Sequence, residues 1–170
     1  MRPEFEDFVH ASSARLLRTG YLLTGNRLDA EDLLQTTLMR VARHWGAAET
    51  APGPYATRVL INLSRDRARM ASRRLSEAPL DEAGDPAMAE DDLSDQVARR
   101  ALIMAALAQL ADRQREVLVL RYYADLSVEE TAAATGTSAG TVKSHTSRAL
   151  THMRELLAEP DPMEVSPDER

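Results

Sequence analysis

The 170-residue sequence contains no cysteine, which excludes disulfides, thiolate nucleophiles and any zinc site held by cysteine. Aromatic residues make up only 4% of the chain, with one tryptophan and two phenylalanines. A core must therefore be assembled from aliphatic side chains. No apolar run approaches the roughly 18 residues of a membrane span. There is no phosphate-cradling glycine motif and no cluster of metal ligands. His10, His44, His145 and His152 are scattered, and the two that share a helix lie two turns apart. These absences predict a protein that is not an enzyme, with no cofactor, metal or small-molecule substrate. Residues 1–7 are polar and acidic, unlike a secretion signal, so a cytoplasmic protein without a membrane association is expected.

The chain also lacks net positive charge. Its formal charge of −6 argues at first against a nucleic-acid partner, since such affinity rests on cations that neutralise phosphates. The distribution reverses that impression. Residues 1–75 carry a net +4 and residues 97–159 a net +1, while residues 76–96 hold 8 acids and no base, and 160–170 are net −3. Two neutral-to-basic blocks flank an acidic strip. That strip has few large apolar residues and cannot bury enough surface to offset its ordering entropy. It is read as a flexible linker over 76–96, and 159–170 as a disordered tail. The alternative, one helical domain with a long acidic loop, is less economical because loops of that length are unusual inside compact domains. The expectation is thus all-α: two small helical domains, 1–75 and 97–158, joined by the acidic linker.

Helical periodicity supports this class, and no strand-like alternation occurs. Glu4 to Leu23 reads as a helix ended by Gly25-Asn26. From Asp29 to Trp45, Ala30, Leu33, Leu34, Thr37, Leu38, Val41 and Trp45 recur on one helical face. Asp29, Glu31 and Asp32 favour the positive end of that helix. Gly46–Gly53 is read as a loop, and Pro54 as the first turn of a third helix to about Arg74. In the second block a helix from Asp95 to Gln109 carries Val97, Leu102, Ile103, Met104 and Leu107. A short helix follows Asp112.

The most informative stretch is 127–157. Ser127 and Glu130 have the spacing of a capping box, and Ala132 and Ala133 are small enough for a second helix to approach. Gly136 supplies a turn, and Thr137 or Ser138 caps the next helix. Val142, Leu150, Met153 and Leu157 form its apolar stripe. Opposite that stripe lie Lys143, Ser144, Ser147 and Arg148. Cations beside short hydroxyls suit phosphate and base-edge contacts in a major groove. A solvated helical hairpin is the plainer account of any one of these features, but here all of them occur in the right order. Likewise, Arg58, Arg65, Arg67, Arg69, Arg73 and Arg74 against the single acid Asp66 make the third helix a basic platform.

Leu110 to Leu150 resembles the fourth conserved region of sigma-70 family proteins, and also the DNA-binding domain of LuxR-type regulators. Asp29 to Trp45 and Pro54 to Arg74 resemble the two working segments of sigma region 2. With regions 2 and 4 joined by a short linker, the chain is similar to the extracytoplasmic function (ECF) group, and within it to an actinobacterial sigma-E-like subgroup. The resemblance implies promoter-directed transcription initiation with core RNA polymerase, through its β′ clamp and β flap. It implies promoter DNA as a partner, and an anti-sigma factor as a further one. By the same resemblance Asp32, Gln35, Thr36, Met39, Arg40 and Arg43 dock on polymerase. Arg58, Asn62, Arg65, Asp66, Arg69, Arg73 and Arg74 face the −10 element. Arg121, Ser138, Thr141, Lys143, Ser144, Ser147 and Arg148 face the −35 element. Tyr55 and Trp45 are read as core. The competing reading is a stand-alone LuxR-like regulator that binds duplex DNA without polymerase.

Overall fold

The computed structural model describes residues 3–77 and 94–158, with side chains for 3–73 and 97–158. The proposed linker is therefore largely, and the proposed tail wholly, outside the described residues. All regular structure among the described residues is helical. The helices are α1 (Pro3–Thr24), α2 (Arg27–Arg43), a single turn α3 (Trp45–Ala48), α4 (Pro52–Glu77), α5 (Ser94–Gln109), α6 (Asp112–Leu118), α7 (Val128–Thr135) and α8 (Ala139–Leu157); a π-helical turn, Val119–Tyr123, continues α6.

The first unit, α1 to α4, is organised by the few aromatics. Phe5 and Phe8 of α1 close on Trp45, with ring centroids 5.3 and 5.9 Å away. Phe5 meets the indole edge-on, the arrangement that ring quadrupoles favour. Around them pack Leu16, Leu33, Val41, Ala48, Ala56 and Leu60, all buried, with Tyr55 against the same cluster. A Cβ on Gly20 would stand 3.5 Å from Ala30, so α1 and α2 approach closely there. Gly25, at φ +70°, ends α1, and Asn26 caps α2 by accepting the Asp29 N–H at 3.1 Å. That cap places the start of α2 two residues before Asp29.

The loop expected over Gly46–Gly53 is shorter than the sequence suggested. Trp45 must reach the Phe5–Phe8 pair, and the alanines beside it tolerate helix, so 45–48 form α3. Pro52 rather than Pro54 opens α4; a proline at a helix start gives up no helical hydrogen bond.

In the second unit, Leu107 of α5 with Leu110, Leu118 of α6 and Ala149 of α8 form the core, with Met104, Leu150 and Met153 against it. Val97, Leu102 and Ile103 of α5 remain exposed. The sequence had grouped them with the apolar residues of a core helix, but only one edge of α5 is covered. Ala132 is half-buried and Ala133 exposed; Thr131, Ala134 and Thr135 are the α7 residues turned inward. The two units touch. Leu23 and Ile61 of the first share a cluster with Val119, Leu120 and Ala134 of the second.

Candidate nucleic-acid interface

The α7–α8 pair is defined by its ends. The Ser127 hydroxyl accepts the Glu130 N–H at 3.0 Å, and the Glu130 carboxylate accepts the Ser127 N–H at 2.7 Å, a complete capping box. Those bonds, the backbone one foremost, hold the Glu130 carboxyl below its ordinary range. Gly136 adopts φ +66° and ends α7. No atom lies within 4 Å of where its Cβ would be, so glycine is required there for backbone conformation and not for space. Ser138 caps α8 by accepting the Thr141 N–H at 3.1 Å. Thr137 instead meets the Thr135 hydroxyl at 2.8 Å. Val142 is fully buried, as expected of a second helix seated on the first.

This seating leaves Lys143, Ser144, Ser147 and Arg148 exposed together on α8. Among the described residues no partner holds Lys143 or Arg148. Ser138 is also exposed but its hydroxyl is committed to the cap and to the Thr141 hydroxyl at 2.9 Å; Thr141 is half-buried. Arg121 lies in the π-helical turn, with one guanidinium nitrogen on the Leu126 carbonyl. It therefore braces the chain before α7 as well as lining a shallow cleft of about 340 Å³ with Lys143, Ser147 and Arg154. Arg154 was not singled out in the sequence. Its spacing from Lys143 and Ser147 (i+11, i+7) was the available signal.

On α4, Arg58, Asn62, Asp66, Arg69 and Arg73 are exposed at the spacing of one helical face. Asp66 pairs with Arg69 at 3.2 Å, which offsets the charge of the one acid on that face. Arg65 departs from the expected −10 surface. Its guanidinium points into the contact with the second unit, on Glu116 and the Thr135 carbonyl. Position 65 lies about 20° around the helix from Arg58, at the edge of the same face, and it is Glu116 and the Thr135 carbonyl of the second unit that cover it there. The Arg74 side chain lies outside the described residues.

On α2, Asp32, Gln35, Met39, Arg40 and Arg43 are exposed, and Thr36 is half-buried. Met39 is 72% exposed, and Leu28, which the sequence reading passed over, is 75% exposed. Leu28, Asp32, Gln35 and Met39 follow the i, i+4, i+7, i+11 spacing of one stripe, which could have revealed it. Asp32 and Asp29 are not free carboxylates. Arg67 of α4 meets them at 2.7 and 3.1 Å, and its guanidinium pKa is raised, chiefly by the hydrogen bond to Asp32. This bridge fixes α2 against α4 and so sets the exposed α2 stripe relative to the basic face.

Among the described residues there is no group of three or more His, Cys, Asp or Glu that could hold a metal ion, and no helix long and apolar enough to cross a membrane.

Comparison with known proteins gives this geometry its context. Residues 8–74 match the family model for Sigma-70 region 2, and residues 100–153 that for Sigma-70, region 4. The RNA polymerase sigma-E factor of Streptomyces avermitilis is 43% identical over 160 residues, 93% of this chain and 87% of its own. The ECF RNA polymerase sigma factor SigL of Mycobacterium tuberculosis is 33% identical over 150 residues, 86% of this chain and 85% of its own. Among solved structures, the Bartonella quintana sigma factor RpoE, crystallised with the anti-sigma factor NepR, aligns with a TM-score of 0.76 at 25% identity. That alignment covers 92% of this chain and 98% of RpoE. The region 2 match removes the support for a stand-alone LuxR-like regulator, which would carry a different N-terminal half. The chain belongs to the sigma-70 family of RNA polymerase sigma factors, in its ECF group.

Proposed function

We propose that this chain binds core RNA polymerase and directs promoter-specific transcription initiation. The observation that carries the reading is the ordered pair of sigma regions, 8–74 and 100–153, each with an exposed working face. In this assignment residues 1–75 and 97–158 are the two recognition domains and 76–96 the connection between them. The α2 stripe, Asp32, Gln35, Thr36, Met39, Arg40 and Arg43 with Leu28 added, docks on the β′ clamp; an exposed Leu and Met beside charged neighbours suit a protein surface. The α4 face, Arg58, Asn62, Asp66, Arg69 and Arg73, takes the −10 element. The α8 face, Lys143, Ser144, Ser147 and Arg148, takes the −35 element, with Arg121 bracing it.

The role is recognition. Bond formation belongs to polymerase, so the chain needs no catalytic group, and it acts in the cytoplasm where polymerase acts. An anti-sigma factor, as seen with RpoE, is the regulatory partner expected for such a chain. The test is in vitro transcription with bacterial core polymerase on a fragmented genomic library, with start sites read by sequencing. Discrete start sites sharing two upstream motifs are expected. Absence of chain-dependent initiation refutes the proposal.

A further inference from the structure

Between the second half of α4 and the first turns of α6 lies a cleft of about 430 Å³. Small-molecule sites have volumes of this order, but they are commonly walled by apolar side chains. Here guanidinium groups form the walls: Arg65, Arg69 and Arg73 from α4, and Arg113 and Arg115 from α6. The acids of the same lining are Asp112 and Glu116. Five cations thus face two anions, a net charge of +3.

The two carboxylates are already engaged. Glu116 is shared by Arg65 and by Arg113 at 3.3 Å. Asp112 stands 3.7 Å from Arg115. Arg115 is further held by the carbonyls of Leu23, Leu107, Ala108 and Leu110, which orient its guanidinium without neutralising it. Arg69 meets the exposed Asp66 at 3.2 Å, a surface pair of little worth in water. Arg73 has no partner among the residues whose side chains are described. Like charges gathered in a concavity repel one another and focus a positive potential into it. A bound anion removes that cost.

The cleft is more than an edge of the basic α4 face. Arg113 belongs to neither the α4 face nor the α8 face. The floor is made by Ser64, Ala68 and Ser72, and Ala68, at its middle, lies about 120° around α4 from Asn62. A duplex resting on Arg58 and Asn62 would meet the rim, at Arg69 and Arg73, and not the interior. Guanidinium forks bind phosphate oxygens two at a time. Three uncompensated charges within one cleft call for a compact ligand that carries at least as many on linked groups, as a chain of phosphates does.

We propose that this cleft is a binding site for a small polyphosphate anion, free or as the tail of a nucleotide, gripped by Arg69 and Arg73 on one wall and Arg113 on the other. The site belongs to the chain by itself and calls on no polymerase contact.

The test is isothermal titration calorimetry on the full chain, so that the 8 acids over 76–96 are present as competitors. The titrants are inorganic tripolyphosphate, GTP and orthophosphate. Saturable binding of tripolyphosphate at a single site is expected, at least about tenfold tighter than orthophosphate. Arg113→Ala should weaken it at least about tenfold, because a charge-assisted hydrogen bond is lost. Ser72→Glu, at an exposed position, sets a carboxylate in the cleft and should weaken it as much. Lys143→Ala removes the same charge from α8 and should leave the affinity within about twofold. Circular dichroism checks that each variant keeps its helix content. A full chain that shows no saturable binding overturns the proposal. So does tripolyphosphate binding that survives both folded cleft variants, or that falls equally in Lys143→Ala, which would mark a general effect of charge. GTP bound no more tightly than tripolyphosphate assigns the site to the phosphate chain, and GTP bound at least tenfold more tightly adds the nucleoside; both uphold it. Binding without chain-dependent start sites leaves the site standing and removes the sigma-factor reading.

Discussion

Lys143 and Arg148 allow a sharp test of the α8 face. Both stand in solvent without a partner among the described residues. Truncating either to alanine should therefore leave stability within about 0.5 kcal/mol of the parent. If each neutralises one phosphate, its loss removes about 0.9 from the slope of log K against log salt. Taken from a 1 M reference, that is a loss of affinity of about 15-fold at 50 mM salt, narrowing to about 4-fold at 200 mM. A contact to a base edge behaves differently. It costs about 1–3 kcal/mol, roughly 5- to 160-fold, with little change across the salt series. The assay is fluorescence anisotropy of a labelled promoter duplex against the chain bound to core polymerase, at four salt concentrations, for wild type, Lys143→Ala and Arg148→Ala. Converging lines mark phosphate contacts, and parallel displaced lines mark base contacts. Coincident lines for all three proteins would refute the assignment of this face to DNA.

Leu60, fully buried in the first core, should cost about 2–5 kcal/mol as Leu60→Ala, lowering the thermal midpoint by roughly 4–20 °C in a circular-dichroism melt. Gly136→Ala meets no atom within 4 Å but must hold φ +66°, so a loss of about 1–2 kcal/mol in denaturant unfolding is expected, from backbone strain alone. The Glu130 carboxyl is held below its ordinary pKa by the Ser127 N–H. A depressed acid contributes stability that is complete above its unfolded value, about 4.3, and is lost as pH falls through the folded one. The stability gap between wild type and Glu130→Ala should accordingly close under acid unfolding conditions, and a gap independent of pH would show the carboxylate to be idle.

Much of the local structure was legible because its causes are local. A serine three residues before a glutamate, a glycine at the turn and a second serine specify the ends of α7 and α8 through hydrogen bonds that span three residues. The apolar period of α2 marked its buried side, and the exposed side followed by subtraction. Boundaries were harder where distant partners set them. Residues 45–48 coil into α3 because Trp45 packs on two rings of α1, which no window around Trp45 contains.

Exposure was the quantity periodicity could not supply. Val97, Leu102 and Ile103 have the composition of core residues and remain exposed, because only one edge of α5 meets another helix. Leu28 went unnoticed for the same reason: a leucine is assumed buried until the fold leaves it out. The sequence by itself determined the helical class, the turn between α7 and α8, and the residue types that α4 and α8 present on their polar faces, since these depend on residue type and on spacings of three or four positions. The tertiary structure alone decided which way Arg65 points. Its partners are 51 and 70 positions away in the chain, and pairings over such separations are set by how two packed units meet, a geometry that no local pattern encodes.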